Sequence, residues 1–162
     1  MAADRVPSTS ALRLLRSHGV DLQCRQYTYV ANGGAAAAAM ALGIDLHDMI
    51  KTLVFEQDDG QPFLILMHGD REVSTKQLAR SIGVKRVSPC APDTATRHSG
   101  YQVGGTSPFA TRKPMPVYVE QSVLSAPRIY VNGGSRGLIL ELASADLVRI
   151  LAPRPVQVAV CP

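Results

Sequence analysis

A chain of 162 residues with 46% apolar and 19% charged side chains has the composition of a globular domain with room for a real core, and not of a disordered segment. Aromatic residues make up 5% and Trp is absent, which argues against a stacking platform for single-stranded nucleic acid, since such platforms need several exposed rings. A formal net charge of +4 is compatible with an anionic partner such as RNA, and equally with an ordinary solvated surface.

In chain order, Ser8 or Ser10 is placed to cap a first helix whose apolar positions Ala11, Leu12, Leu14 and Leu15 recur at helical spacing, with Gly19 as the stop. Residues 22–30 alternate as a strand. The run 32–43, rich in alanine, has high helix propensity and suits a helix packed closely on a neighbour, closed by Gly43. Residues 46–55 lead into a strand, Asp58, Asp59 and Gly60 mark a hairpin turn, and residues 62–67 return. Ser74 and Gln77 form a capping-box pattern before a helix that ends at Gly83. A short strand is expected at residues 84–87 and one or two helical turns at 92–100. Residues 117–121 and 128–132 are rich in β-formers. Residues 133–137 form a turn into an apolar strand at 138–142. Ser144 is expected to cap a last helix that Pro153 ends, and residues 154–160 suit an edge strand. The expected fold is α/β (α+β): one domain over residues 1–162, with a mixed, mostly antiparallel, barrel-like sheet and packed helices.

The three cysteines, Cys24, Cys90 and Cys161, fit neither a disulfide framework nor a zinc knuckle, and the four histidines are isolated in sequence. No metal and no cofactor are expected. The N-terminal stretch has no apolar signal core, and no segment approaches the roughly 18 apolar residues of a membrane span. The expected location is the cytoplasm, away from membranes.

Three features carry possible chemistry. Lys51 lies between apolar residues at the start of a strand expected to be buried. It either snorkels outward or holds a cation at a pocket mouth, aimed at a phosphate or carboxylate. Residues 100–109, GYQVGGTSPF, match neither a dinucleotide fingerprint nor a P-loop. They make either a glycine bulge between strands or a loop whose Gly104 and Gly105 let backbone N–H groups approach a ligand, with Pro108 stiffening the exit. Residues 132–137, NGGSRG, form a hairpin turn whose Arg136 is either solvated or a second anion contact.

Taken in order, KTLV at 51–54, the glycine stretch at 100–109 and IYVNGGSRGLILELASADL at 129–147 resemble the YbaK/ProX family of aminoacyl-tRNA editing domains. These are related to the editing domain inserted in bacterial prolyl-tRNA synthetases. The resemblance spans about residues 10–152 and is strongest to the YbaK (Cys-tRNA deacylase) branch. It implies hydrolysis of the ester of mischarged tRNA, most typically Cys-tRNA(Pro) or another small aminoacyl-tRNA. The implied partner is the tRNA acceptor end, with prolyl-tRNA synthetase as a further candidate. Under this resemblance Lys51 would hold the terminal phosphate or ribose, and Gly104, Gly105 and Pro108 belong to the loop that grips the ester carbonyl or positions water. Tyr27, Thr106, Ser107, Gly133, Gly134, Arg136 and Ile139 would bind substrate. Ser107 is not read as a nucleophile, because no His–Asp pair accompanies it by motif. Ile139 stands where YbaK-like relatives can carry an Asp, and alanines 35–39 replace a more charged helix start. Both leave the edited amino acid open. The competing expectations are a non-catalytic tRNA-binding or synthetase-associated module and, less favoured, a hydrolase of small esters or aminoacyl nucleotides.

Overall fold

A computed structural model describes residues 5–162; the first residues of the stretch read above for a leader, 1–4, lie outside the described part. The first helix, α1 (Ser10–Ser17), is capped by Thr9 rather than by Ser8 or Ser10. The Thr9 hydroxyl accepts from the Leu12 amide at 3.1 Å and donates to the Gly133 carbonyl at 2.6 Å. One side chain thus starts the helix and ties it to the distant glycine turn. Ala11, Leu12 and Leu15 face the core, while Arg13 and Arg16 stay in water.

Strand β1 (Leu22–Gln26) is shorter than the alternation over 22–30 suggests. Beyond it the Tyr27 amide still pairs with the Gly137 carbonyl, but the chain then turns through Val30 and Gly33 into α2 (Gly34–Leu42). That helix has no side-chain cap and ends at Gly43 in the left-handed region. Its Ala38 and Ala39 are buried against Met49 and Ile139, the close packing that a side chain of one carbon permits.

The centre of the sheet is the hairpin of β2 (Met49–Gln57) and β3 (Pro62–His68), paired antiparallel from Ile50–His68 to Glu56–Pro62. Every residue of β3 is buried, as expected of a strand covered on both faces. Phe63, Ile65 and Met67 pack under α3 (Thr75–Ile82), whereas Leu66 joins the cluster formed with α1. Ser74 caps α3 by accepting from the Gln77 amide, and Gly83 ends it, as expected. Two-residue β4 (Glu72–Val73) precedes this helix. The strand expected at 84–87 is displaced: β5 (Val87–Pro89) begins at its last residue and pairs with residues 55–57 of β2. A full helix, α4 (Pro92–Ser99), follows.

In the C-terminal half, β6 (Val117–Glu120) passes through a 3-10 turn to β7 (Arg128–Asn132), which pairs antiparallel with β8 (Leu138–Ala143). Helix α5 (Ser144–Leu151) follows at once. Ser144 is its first residue and not its cap, because its hydroxyl donates to the Ala126 carbonyl at 2.6 Å. The tail splits into β9 (Arg154–Val156), parallel to β6, and β10 (Ala159–Val160), antiparallel to β4.

The large sheet runs β1-β8-β7-β2-β3-β6-β9, with β5 also on β2. It is mixed, with parallel contacts at β2–β7, β3–β6 and β6–β9. It is an open sheet: its ends are β1 and β9, and no closed barrel forms among the described residues. The main cluster holds Leu12, Leu66, Phe109, Ile129, Leu140 and Leu147. Cutting one such leucine to alanine costs about 2–5 kcal/mol. No helix of the described residues is long and apolar enough to cross a membrane.

Candidate active site

A cavity of about 480 Å³ opens along β2, from Met49 to Phe55. Tyr27, Tyr29 and the start of α2 form one wall; β4, Cys90 and α4 form another, and the loop at Val103, Gly104 and Thr106 closes over it. The size suits a small ligand or one end of a larger one. Five residues singled out in the sequence line it: Tyr27, Lys51, Gly104, Thr106 and Ile139.

Lys51 is half-buried on β2. Its ammonium donates to the Arg71 carbonyl, at the turn leading into β4. Burial lowers its pKa from the ordinary lysine value, and the charges of Glu72 and Asp70 offset only part of that effect. The turn is itself braced. Asp70 accepts from Arg71 at 3.0 Å and shares a 2.8 Å contact with His47. Burial would raise the Asp70 carboxyl, but the His47 bond and the His47 and Arg71 charges outweigh it and hold it below its usual value.

Two of the four histidines isolated in sequence are brought together here. The His47 and His68 rings stack at 3.7 Å, 10° from parallel. His68 Nδ1 contacts the His47 carbonyl at 2.6 Å, so it carries the proton, and Nε2 then accepts from the Ser122 hydroxyl at 2.7 Å. Among the described residues His47, His68 and Asp70 are the one group whose metal-ligating atoms lie within 4.8 Å of one another. Stacked rings direct their lone pairs along parallel planes and not to a common point, and both His68 nitrogens already have partners. The donor set therefore fits a hydrogen-bonded brace behind Lys51 better than a metal cage.

The loop 100–109 is not a bulge between strands; it connects α4 to the segment before β6. Gly104 has φ +96°, and a Cβ there would lie 2.7 Å from the Tyr29 hydroxyl. A Cβ on Gly105 would lie 2.8 Å from the Arg136 amide nitrogen. The two glycine segments thus meet backbone to backbone, which no larger residue allows. Gly105 donates to the Gln102 carbonyl, whereas the Gly104 and Thr106 amides have no acceptor among the described residues. Unpaired N–H groups beside a cavity are rare and suit an incoming carbonyl or oxyanion.

The other expected substrate contacts stand behind the wall. Ser107 is fully buried and accepts from the Phe109 amide at 3.2 Å, so it supports the loop. Pro108 is also buried. Gly133 and Gly134 pack against Leu138 and Tyr101, respectively. Arg136 does not line the cavity as an anion contact. Its Nε donates to the Val103 carbonyl at 3.0 Å, and its guanidinium lies 4.9 Å from the Tyr29 ring centre, which makes it a clamp joining loop and wall. Ile139, at the position where YbaK-like relatives can carry an Asp, is 1% exposed and gives the cavity an apolar surface.

Several lining residues escaped the sequence reading. Tyr29 had a signal, since it lies two residues from Tyr27 on the same alternation. Thr52 had none: its hydroxyl is buried and has no hydrogen-bond partner among the described residues. Cys90 also lines the cavity, but burial, reinforced by Glu56, pushes its thiol up to about 11. It is therefore a neutral thiol and a poor nucleophile near neutral pH. Among the described residues Glu72 is the single acid of the lining, as Lys51 is the single cation.

Comparison with known proteins identifies the family and the fold. The aminoacyl-tRNA editing domain model matches residues 33–150. An Enterococcus faecalis protein named "Putative Cys-tRNA(Pro)/Cys-tRNA(Cys) deacylase EbsC" is 29% identical over 143 residues, covering 88% of this chain and 87% of its own. A proline–tRNA ligase of Desulfotalea psychrophila is 31% identical over 100 residues, 62% of this chain but 17% of the ligase. In three dimensions the chain is similar to "a putative trans-editing enzyme for prolyl tRNA synthetase", with a TM-score of 0.82 and 22% identity over 96% of this chain and 99% of the other. It is also similar to "hypothetical protein APE2540", with a TM-score of 0.85 and 21% identity over 94% and 100% of the two chains. A family match over most of the chain, joined to a shared overall fold, means that the protein belongs to the YbaK-type family of aminoacyl-tRNA editing domains.

Proposed function

We propose that the chain is a free-standing, single-domain trans-editing deacylase, working in the cytoplasm on Cys-tRNA(Pro) or another small aminoacyl-tRNA. The observation that carries this reading is that Lys51, Gly104 and Thr106 line one small cavity, the Gly104 and Thr106 amides having no acceptor among the described residues. The ammonium of Lys51 suits a phosphate of the acceptor end, and the two amides suit the carbonyl oxygen of the ester. Water adds to the carbonyl carbon, the bond to the ribose oxygen breaks, and that oxygen takes the proton, releasing a free amino acid and tRNA. An aminoacyl ester is already activated, so positioning and oxyanion stabilisation go far toward hydrolysis without a side-chain general base. A substrate group, the ribose 2′-hydroxyl or a cysteine thiol, can assist. The apolar wall of Ala38, Met49 and Ile139 supports a small, uncharged amino acid.

The test is hydrolysis of Cys-, Ala- and Ser-charged tRNA(Pro) by the wild type and by Lys51→Ala. At least one ester should be cleared well above its spontaneous rate, and the variant should lose about 100-fold. Rates equal to spontaneous loss on every ester would overturn the reading. Ile139 favours a second reading, a tRNA-binding or synthetase-associated module without turnover. It predicts binding to the acceptor stem that weakens steeply with salt and no release of amino acid.

A further inference from the structure

We propose that Glu72 binds the α-ammonium of the aminoacyl group, so that the site selects esters with a free amine over N-acylated ones. This rests on the deacylase reading and names what its site discriminates.

The charge inventory carries the inference. Of the described residues lining the cavity, Lys51 is the only cation and Glu72 the only anion. An aminoacyl ester at the end of tRNA presents the reverse pair, phosphates on one side of the ester and an ammonium on the other. Moving that ammonium into an apolar cavity without a counter-charge is costly. The remaining polar lining, such as Thr52, Thr106 and Asn132, offers only neutral groups. Ile139, at the position where YbaK-like relatives can carry an Asp, offers no charge.

Glu72 is also uncommitted. It takes part in no ion pair and its side chain in no hydrogen bond among the described residues, although its charge is felt at Lys51. Its backbone is held in place. Glu72 pairs with Val160 and Val73 with Ala159, and the Ser74 amide donates to Val158. The preceding residue, Arg71, supplies the carbonyl that holds the Lys51 ammonium, so one short segment sets the position of both charges. A carboxylate exposed at the rim and anchored by a paired strand suits an ammonium that arrives with its substrate and leaves with the product. Blocking the amine, as in a peptidyl or acetylated ester, removes the positive charge and places an amide against the carboxylate.

The experiment compares wild type, Glu72→Gln and Glu72→Asp on Ala-tRNA(Pro) and Cys-tRNA(Pro), each with a free or acetylated amine. Binding of the non-hydrolysable 3′-alanylamido-3′-deoxyadenosine and its N-acetyl form is measured in parallel. The wild type should favour the free amine by about 10- to 100-fold in kcat/KM and in affinity. Glu72→Gln should erase most of that preference by losing the free-amine substrate alone, and Glu72→Asp should keep part of it. Retained preference in Glu72→Gln, or an equal loss on both forms, would overturn the proposal. If the wild type binds the analogues with this preference but hydrolyses neither ester, the deacylase reading fails while the Glu72 contact stands. If it binds neither analogue, the contact fails as well.

Discussion

Glu141 on β8 and Lys51 on β2 are charged residues on inner strands of one sheet, and the fold treats them in opposite ways. Glu141 is saturated: Arg25 reaches one carboxylate oxygen from β1 at 2.6 and 3.0 Å, and Arg128 reaches the other from β7 at 2.9 Å. The bonds from Arg25 act first in lowering its pKa; they overcome the opposing effect of burial with help from Arg128. Among the described residues Lys51 has one backbone carbonyl as partner and no ion pair, and burial shifts it toward its neutral form. A charge neutralised on every side pins strands together. A charge held half-buried in an apolar cavity is an unmet demand for an anion, and its cost to the fold is what makes it available to a ligand.

The contrast breaks first if Lys51→Met behaves like a structural lesion. Methionine keeps the length and removes the charge. Deacylation should fall about 100-fold, while the melting temperature should stay the same or rise, because a desolvated ammonium has gone. A large drop in melting temperature would show that Lys51 holds the fold. The direction of its pKa shift gives a second check. The charged form is present below the lowered pKa and lost above it. The ratio of catalysed to spontaneous hydrolysis should therefore decline with rising pH before the ordinary lysine value of about 10.4 is reached.

Glu141→Gln should do the reverse of Lys51→Met. Urea unfolding near neutral pH should show a loss of about 1–3 kcal/mol, with activity per folded molecule within about twofold of wild type. The sign of its pH dependence follows from the depressed pKa. The ionised carboxylate contributes stability above the ordinary glutamate value of about 4.3, and this is lost as pH falls through the lower folded-state value. The gap between variant and wild type should close in acid; a gap independent of pH would mean that packing, not charge, is at stake. The smallest effect is expected at Arg136→Ala, which removes the Val103 hydrogen bond and the contact over Tyr29. It should cost about 0.5–1 kcal/mol and slow hydrolysis only a few-fold. A loss as large as that of Lys51→Met would return Arg136 to the role of an anion contact.

Local signals predicted local structure well. The β2–β3 hairpin follows from apolar strands around an Asp-Asp-Gly turn, and α3 follows from its Ser74 cap and Gly83 stop, because each depends on neighbours within a few residues. The errors fall where a distant partner decides. Thr9 outranks Ser8 and Ser10 as a cap because its hydroxyl also meets Gly133. Ser144 gives up the cap role because its hydroxyl donates to the Ala126 carbonyl, 18 residues away in sequence. Tyr27 and Tyr29 leave the strand alternation to line a cavity whose other walls are far away in sequence. Of the site, Lys51 and the glycine loop were legible through motif order. Glu72 was not, since a lone acid in a polar turn resembles any solvated one.

By itself, then, the amino-acid sequence determined the mixed α/β class, most elements, and the family to which the chain belongs. These rest on periodicity, turn chemistry and motif order, which survive without coordinates. Only the tertiary structure decided that the sheet stays open, that Arg136 clamps the wall instead of lining it, and that Lys51 and Glu72 share one cavity. Parallel pairings such as β2–β7 and β3–β6 bring together segments with no local signature of contact. A cavity is a property of what surrounds it, and Lys51 and Glu72 come to face one cavity only when the chain has folded around it.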